Sequence, residues 1–185
     1  QVRADEYPYL LSVYHDRGQR AERYMSQIAA DQDGITIEEA MAMQTDNGSL
    51  SALEIIPYLA QLSFGDSDVT AARDMLLDWD AQMLKESPEA ALFNIFWAQV
   101  VPMTFDDQLP PGRPLGSGTY TSDIIYNLLS DPGNLWWDDV LATPEVIENR
   151  VDILREAFPV FIGRTGVNVP SAGVFTYLWP YHEYQ

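Results

Sequence analysis

Apolar residues recur at helical spacing along most of the chain. Between residues 20 and 79, three or four segments place them three or four positions apart, as at Leu53, Ile56 and Leu59. This spacing is the period of one face of an α-helix. A single amphipathic helix cannot bury its apolar face alone, so these segments are expected to pack against each other. Similar patterns follow further along the chain, and the predicted fold is mainly α, an irregular bundle of about seven helices.

Residues that cap helices set the expected boundaries. Thr36 opens the pattern of a capping box, and Ser87 followed by Pro88 is a strong helix start. Asp68 and Thr143 are interpreted as N-caps on the same grounds. The predicted helices run over about 18–30, 36–47, 49–62, 68–79, 88–101, 122–129 and 143–158.

Two stretches lack a helical pattern. Residues 102–118 are rich in proline and glycine around Pro110, and a long loop is expected there. After Phe158 the helical period gives way to β-branched and aromatic residues with three glycines, which fits either a pair of strands or a disordered tail. We therefore divide the chain into a helical domain at 1–158 and a tail of uncertain structure at 159–185.

Composition excludes several classes of function. The formal net charge of −18 argues against nucleic-acid binding, which relies on basic patches that displace counterions. No apolar run approaches the roughly 20 residues that a membrane-spanning helix needs. Because cysteine is absent, disulfides, thiolate metal sites and a cysteine nucleophile are excluded. The start at Gln1 has no apolar core of a signal peptide, and it suggests a processed or excised product.

Adjacent carboxylates occur at 38–39, 106–107 and 138–139. Neighbouring residues on a helix point about 100° apart, so such doublets rarely converge for acid–base chemistry. Solvated or helix-start charges are the favoured interpretation. Trp136 and Trp137 precede the last doublet, and they either anchor a loop to the core or form a site for a sugar or cation.

The remaining candidates also lack the spacing of a known site. His15 and His182 have no metal-ligand or triad arrangement around them. A calcium loop around 31–34 would need carboxylates at positions where alanines stand. Arg20 and Arg23 share a helix face, and by chemistry alone they would be solvated or paired with acids.

Several short motifs follow one another in an order that resembles a known family. They are Tyr7-Pro8, Gln19-Arg20-Ala21-Glu22-Arg23, Thr36-Ile37-Glu38-Glu39-Ala40, Gln44-Thr45-Asp46, Ile56-Pro57-Tyr58-Leu59, Leu77-Asp78-Trp79-Asp80, Trp136-Trp137-Asp138-Asp139 and Thr143-Pro144-Glu145. Their order and spacing, over about residues 7–158, resemble the penicillin amidase family of N-terminal nucleophile hydrolases, in the middle of the large β subunit. The resemblance implies that this chain is a helical fragment of an αββα enzyme.

The resemblance also implies a chemistry. In that family the serine that begins the β subunit attacks an amide while its own α-amino group acts as the base, and backbone groups with an asparagine hold the oxyanion. A helix-borne arginine that helps to organise the site corresponds to Arg20. The implied substrates are linear amides of acylated small molecules, of the β-lactam or N-acyl homoserine lactone type. The implied location is periplasmic or extracellular.

The chain departs from the family pattern at its start. The nucleophile and the oxyanion asparagine would lie before Gln1, and the aspartate of the family's structural calcium corresponds to Leu10 or Leu11, which offer no carboxylate. We therefore expect no cofactor or metal in this chain and no activity from it alone. The expected partners are the α subunit and the rest of the β subunit. The alternative is a stand-alone acidic helical binding module, dimeric through the apolar face that a sheet would otherwise cover.

Overall fold

The computed structural model describes residue 9 and residues 17–30, 34–110, 115 and 119–165, with side chains up to residue 158. Within these ranges the chain forms seven α-helices and one 3₁₀ turn, and no strand, which confirms the prediction of a mainly α fold. The helices are α1 (Gln19–Ala30), α2 (Ile37–Gln44), α3 (Leu50–Leu59), α4 (Ser67–Leu77), α5 (Pro88–Phe105), α6 (Thr119–Leu129) and α7 (Arg150–Thr165), and the 3₁₀ turn η1 (Leu135–Trp137) lies between α6 and α7.

Local capping explains where several helices begin. The Thr36 side chain accepts a hydrogen bond from the Glu39 amide, and the Glu39 carboxylate accepts one from the Thr36 amide, which confirms the capping box. Ser87 caps α5 as expected. Of the two serines that could begin α3, Ser49 and Ser51, it is Ser49 that caps the helix. The cap of α4 lies two residues earlier than predicted. Asp66, and not Asp68, accepts hydrogen bonds from the first amides of that helix.

Helix α5 is longer than predicted. It continues through Pro102 to Phe105, into the stretch where a loop was expected. A proline removes only its own donor and crowds the preceding turn, and here it stands in the last turn, where its carbonyl still accepts from the Asp106 amide at 2.9 Å. The position of Pro102 near the helix end therefore makes it tolerable.

Helix α7 begins later than predicted, because Thr143 does not start a helix. The Thr143 hydroxyl donates to the Glu148 carboxylate, and residues 143–149 are not helical. The helix begins at Arg150, where the Asn149 side chain accepts from the Val151 amide at 2.8 Å. It then continues to Thr165 without interruption, so the change of composition after Phe158 does not end the helix.

The core is built around α5, which packs against α4, α6, α7 and η1. Phe96 on α5 and Phe158 on α7 are almost fully buried, with ring centroids 4.8 Å apart. Trp137 of η1 is also fully buried, and its indole N–H donates to the Asp131 carbonyl at 3.0 Å. The buried apolar residues form one core cluster, which extends along the chain from Ala52 to Phe158.

The first two helices are organised differently, because neither α1 nor α2 contains a buried residue. Tyr24, Met25 and Ile28 on α1 and Ile37 and Met41 on α2 are all exposed. Helix α1 touches α3, but polar contacts rather than buried apolar side chains attach it. No helix in the described ranges is long and apolar enough to cross a bilayer.

Candidate functional site

A cluster of polar contacts around Asp46 joins α1 to the turn between α2 and α3. The Asp46 carboxylate accepts from Arg23 Nε at 2.6 Å and from Arg23 Nη2 at 3.1 Å, so the ion pair is bidentate. It also accepts from Gln27 Nε2 at 2.8 Å, from Gln82 Nε2 at 3.3 Å and from the Gly48 amide at 3.2 Å. We refer to Arg23, Gln27, Asp46, Gly48 and Gln82 as the Asp46 cluster.

The cluster is largely shielded from solvent. The Asp46 side chain is 12% exposed and the Arg23 side chain 29% exposed. The hydrogen bonds from Arg23 hold the pKa of Asp46 well below its usual range, with smaller contributions from Gln82 and Gly48. The same hydrogen bonds raise the pKa of Arg23. Both groups are therefore charged throughout the physiological range, and the ion pair is a fixed feature of the fold.

Gly48 is in the cluster because only a residue without a side chain fits beneath the guanidinium of Arg23. A Cβ atom at this position would lie 2.7 Å from Arg23 Nη2 and 2.8 Å from Cζ. The backbone on either side is held by hydrogen bonds from the Ser49 amide to the Ala81 carbonyl, at 2.9 Å, and from the Met83 amide to the Asn47 carbonyl, at 3.0 Å. This short antiparallel bridge fixes Gly48, and the arginine lies flat against it.

Next to the cluster lies a cleft of about 700 Å³, lined by α1, the turn before α3 and the first residues of α3. Arg20, the predicted site residue, lines this cleft and is exposed. Arg17 also lines it, but its guanidinium pairs with Glu54 at 2.9 Å and lies 4.8 Å from the centroid of the Tyr126 ring. The exposed guanidinium of Arg20 is thus available to a ligand in this cleft.

The serines of the cleft are occupied with structural contacts. Ser49 Oγ accepts from the Ala52 amide at 3.2 Å as the cap of α3. Ser51 Oγ donates to Gln19 Oε1 at 2.7 Å, and an amide oxygen is not a base that could activate a hydroxyl. Within the part of the chain that the structure describes, the cleft thus offers a cation and hydrogen-bonding groups but no nucleophile paired with a base.

Other candidates from the sequence lie elsewhere or outside the described residues. His15, His182 and residues 31–33 fall outside them. Asp107, Asp138 and Asp139 accept hydrogen bonds from backbone amides. Trp137 is buried and anchors its loop to the core, which is the first of the two roles expected for it. None of these groups lines the cleft beside Arg20.

The central role of Asp46 is not apparent from the sequence, where the residue stands only as part of a family motif. Asp46 lies 23 positions after Arg23 and 36 positions before Gln82, so no local spacing connects the three. The available signal was that Asp46 stands two positions before a glycine, between two predicted helices. This pattern indicates a turn, but it does not indicate which side chains contact the carboxylate.

The family resemblance implies a structural calcium ion. Its aspartate would correspond to Leu10 or Leu11, outside the described residues, and neither side chain carries an oxygen. No group of three or more His, Cys, Asp or Glu side chains in the described ranges could hold a metal ion.

The described residues thus form an all-helical structure with a polar, arginine-lined cleft. The family model for penicillin amidase matches residues 1–165. The chain therefore belongs to the penicillin amidase family, whose members are amidohydrolases. No curated protein matches the chain.

Proposed function

We propose that this chain is the helical segment of a penicillin-amidase-type acylase, which hydrolyses linear C–N amide bonds in acylated small molecules of the β-lactam or N-acyl homoserine lactone type. The observation that carries this proposal is the family match over residues 1–165. The cleft supports it, because it presents an arginine from the helix that corresponds to the family's site-organising helix. In the complete enzyme this segment lies over an αββα core in the periplasm or outside the cell.

Arg20 is the residue through which this segment contributes to the site. A guanidinium is always charged and carries five donors in a planar fork, which suits it to hold an oxygen of the substrate or a neighbouring catalytic group. Arg20 lies three positions before Arg23 on α1, so the ion pair of Arg23 with Asp46 fixes the helix segment that presents it. Its role is to organise the site, while a serine outside the described residues carries the chemistry.

The 185-residue chain is inactive alone. Nucleophilic catalysis requires an activated nucleophile and donors aimed at the oxyanion. In the cleft, Ser49 is used as a helix cap and Ser51 faces an amide oxygen, so neither hydroxyl has a base to remove its proton.

The remainder of the acylase is the proposed partner, and α1 and α2 are the surface that it covers. These helices bury none of their residues in the described structure, and Met25, Ile37 and Met41 are each more than 60% exposed. Ile37 and Met41 stand four positions apart, on one face of α2, and we propose that they form part of the surface that the assembly covers.

The test starts from the coding sequence around this chain, where a segment that begins with serine is expected upstream. The longer polypeptide and the 185-residue chain are expressed separately and assayed with a chromogenic acyl-amide. We expect turnover only by the longer form and a loss in kcat/KM of roughly 100-fold or more for Arg20→Ala, as for removal of a charge-stabilising donor. Arg155→Ala is the matched control, since this arginine pairs with Asp152 on the surface of α7.

Two outcomes would contradict the proposal. Turnover by purified 185-residue protein that persists in Arg20→Ala would show that the chemistry lies in the chain itself and does not use this residue. A coding sequence without an upstream nucleophile would instead favour the alternative function, a stand-alone acidic binding module that dimerises through α1 and α2. Analytical ultracentrifugation of the chain and of Met41→Ser distinguishes this alternative, because only a dimer through that face dissociates on the substitution.

A further inference from the structure

A second exposed apolar surface lies in the second half of the sequence, in η1 and in the loop that joins η1 to α7. Leu135, Leu141 and Ile147 are 74%, 72% and 81% exposed. Val140 and Val146 are exposed beside them. We refer to residues 135–147 as the apolar ridge.

The backbone of the apolar ridge is held in place by hydrogen bonds to the end of α5. Gln108 Nε2 donates to the Leu135 carbonyl at 2.9 Å and to the Asp138 carbonyl at 3.0 Å. The Val140 amide donates to Asp107 Oδ2 at 3.0 Å. Because the loop is already ordered, covering its apolar side chains does not require the ordering of a flexible segment, which would otherwise oppose binding.

Next to the ridge is a cleft of about 500 Å³ with apolar walls and acidic groups. Pro102, Met103 and Leu141 line it together with Asp106, Asp107 and Asp139. In the described part of the chain no basic side chain forms an ion pair with these three carboxylates. Asp107 Oδ1 is buried without a hydrogen-bond partner. The pKa of Asp107 is raised, first by burial and also by the charge of Asp139.

Two further features make this cleft favourable for a cation. Helix α5 ends beside it, with Asp106 as its C-cap, and the C-terminus of a helix carries a partial negative charge. The chain as a whole has a net charge of −18, so a positive partner is attracted at long range as well. A cationic side chain with an aliphatic stem matches both the walls and the charges of the cleft.

We propose that the apolar ridge and this acidic cleft form a docking surface for a partner polypeptide that presents an arginine or lysine between apolar side chains. The cationic group enters between Asp107 and Asp139, and the apolar side chains cover Leu141 and Ile147. A second copy of this chain is the less suitable occupant, since two acidic surfaces repel each other. This inference does not depend on the proposed amide hydrolysis.

The probe is a synthetic peptide, acetyl-Gly-Leu-Arg-Leu-Phe-Gly-amide, titrated into the ¹⁵N-labelled 185-residue protein at low salt. Backbone amide shifts report where it binds. We expect the shifts at 138–148 and at the end of α5. Replacing the peptide's arginine by citrulline, which keeps the shape and removes the charge, is expected to weaken binding about tenfold, the usual effect of losing one charge-assisted hydrogen bond.

Protein variants separate the two parts of the surface. Asp107→Asn and Ile147→Ser are each expected to weaken binding several-fold, and far-UV circular dichroism with thermal unfolding checks that both still fold. Glu38→Gln and Ile37→Ser on α2 are the matched controls, because Ile37 is equally exposed at 76%, and they should leave binding unchanged.

Three results would overturn the proposal. The first is equal binding of the arginine and citrulline peptides, and the second is shifts confined to α1 and α2. The third is a dimer of the chain that Ile147→Ser dissociates, which would make a second copy the occupant.

Discussion

The Asp46 cluster predicts a large loss of stability from a very small change, Asp46→Asn. The carboxylate accepts five hydrogen bonds, two from Arg23 and one each from Gln27, Gln82 and the Gly48 amide. Asparagine has nearly the same shape as aspartate, but only one of its two terminal atoms is an oxygen that can accept hydrogen bonds. Its NH₂ group would face N–H donors and could not accept from them. The substitution therefore leaves a shielded guanidinium without its counter-ion.

The size of the loss follows from the burial of the pair. Removing one partner of a fully buried ion pair costs about 3–5 kcal/mol. The Arg23 side chain is 29% exposed and can recover part of its hydration, so we expect a decrease in the free energy of unfolding of about 2–3 kcal/mol. Since a domain is stabilised by only about 5–15 kcal/mol in total, this change is easily measured.

Urea unfolding followed by far-UV circular dichroism is the assay. Glu54→Gln is the matched control, because Glu54 pairs with Arg17 and both side chains are about one-third exposed. Exposed pairs of this kind contribute at most about 1 kcal/mol. If Asp46→Asn proves no more destabilising than Glu54→Gln, the cluster is not the attachment that the structure indicates, and the positioning of α1 must have another source.

Acid pH should act on the same cluster. The pKa of Asp46 is lowered in the folded state, so its contribution to stability is complete above the unfolded value of about 3.9 and is lost as the pH falls through the folded pKa. The difference in unfolding free energy between neutral and strongly acidic pH, measured by urea unfolding at each pH, is therefore expected to be smaller in Asp46→Asn than in the unsubstituted protein. An equal difference in the two proteins would show that Asp46 is not the source of the acid sensitivity. Gly48→Ala should cost about 1–2 kcal/mol, because the new Cβ would displace the Arg23 guanidinium; in the Asp46→Asn background the cost should shrink, and full additivity would contradict a shared network. Burial raises the pKa of Tyr126 to about 12, so stability from its neutral hydroxyl is kept below about pH 10 and lost as the pH rises toward 12; ultraviolet titration of the chain and of Tyr126→Phe should show one late-ionising tyrosine missing in the variant. Phe158→Ala, which empties a site between Phe64 and Phe96, should cost about 3–5 kcal/mol in urea unfolding, and a loss under 1 kcal/mol would mean that this contact is not central.

Helix starts were predictable where the capping contacts are local. Thr36 and Ser87 each bind amides within three positions, so the sequence contains the whole interaction. Thr143 has the same local pattern but a different outcome, because it and the neighbouring Asp139 amide bind Glu148. The surrounding loop is tied to Asp107, 33 positions away from Val140. Contacts between residues this far apart in sequence determine whether such a motif caps a helix or holds a loop. The local sequence pattern carries no information about these contacts.

The candidate site was predictable only in part. Arg20 came from the resemblance to the family, and the structure places it in a cleft. The Asp46 cluster could not be predicted, because its members come from α1, the α2–α3 turn and the segment before α5. Their association depends on how three elements meet in space. The division of the chain at residue 158 stays a prediction, although α7 runs through that position.

Helix α1 has no buried residue, so it can unfold locally while the core stays folded. The free energy of this local unfolding is separate from the free energy of global unfolding. Hydrogen exchange from its amides is then governed by release of the Arg23–Asp46 ion pair and not by global unfolding. The protection factors of the α1 amides, which correct for the intrinsic exchange rate at each pH, should fall with added salt or acid, while the amides of α5 remain protected by the apolar core. The order of the segment that presents Arg20 thus depends on ionic conditions as well as on the stability of the fold.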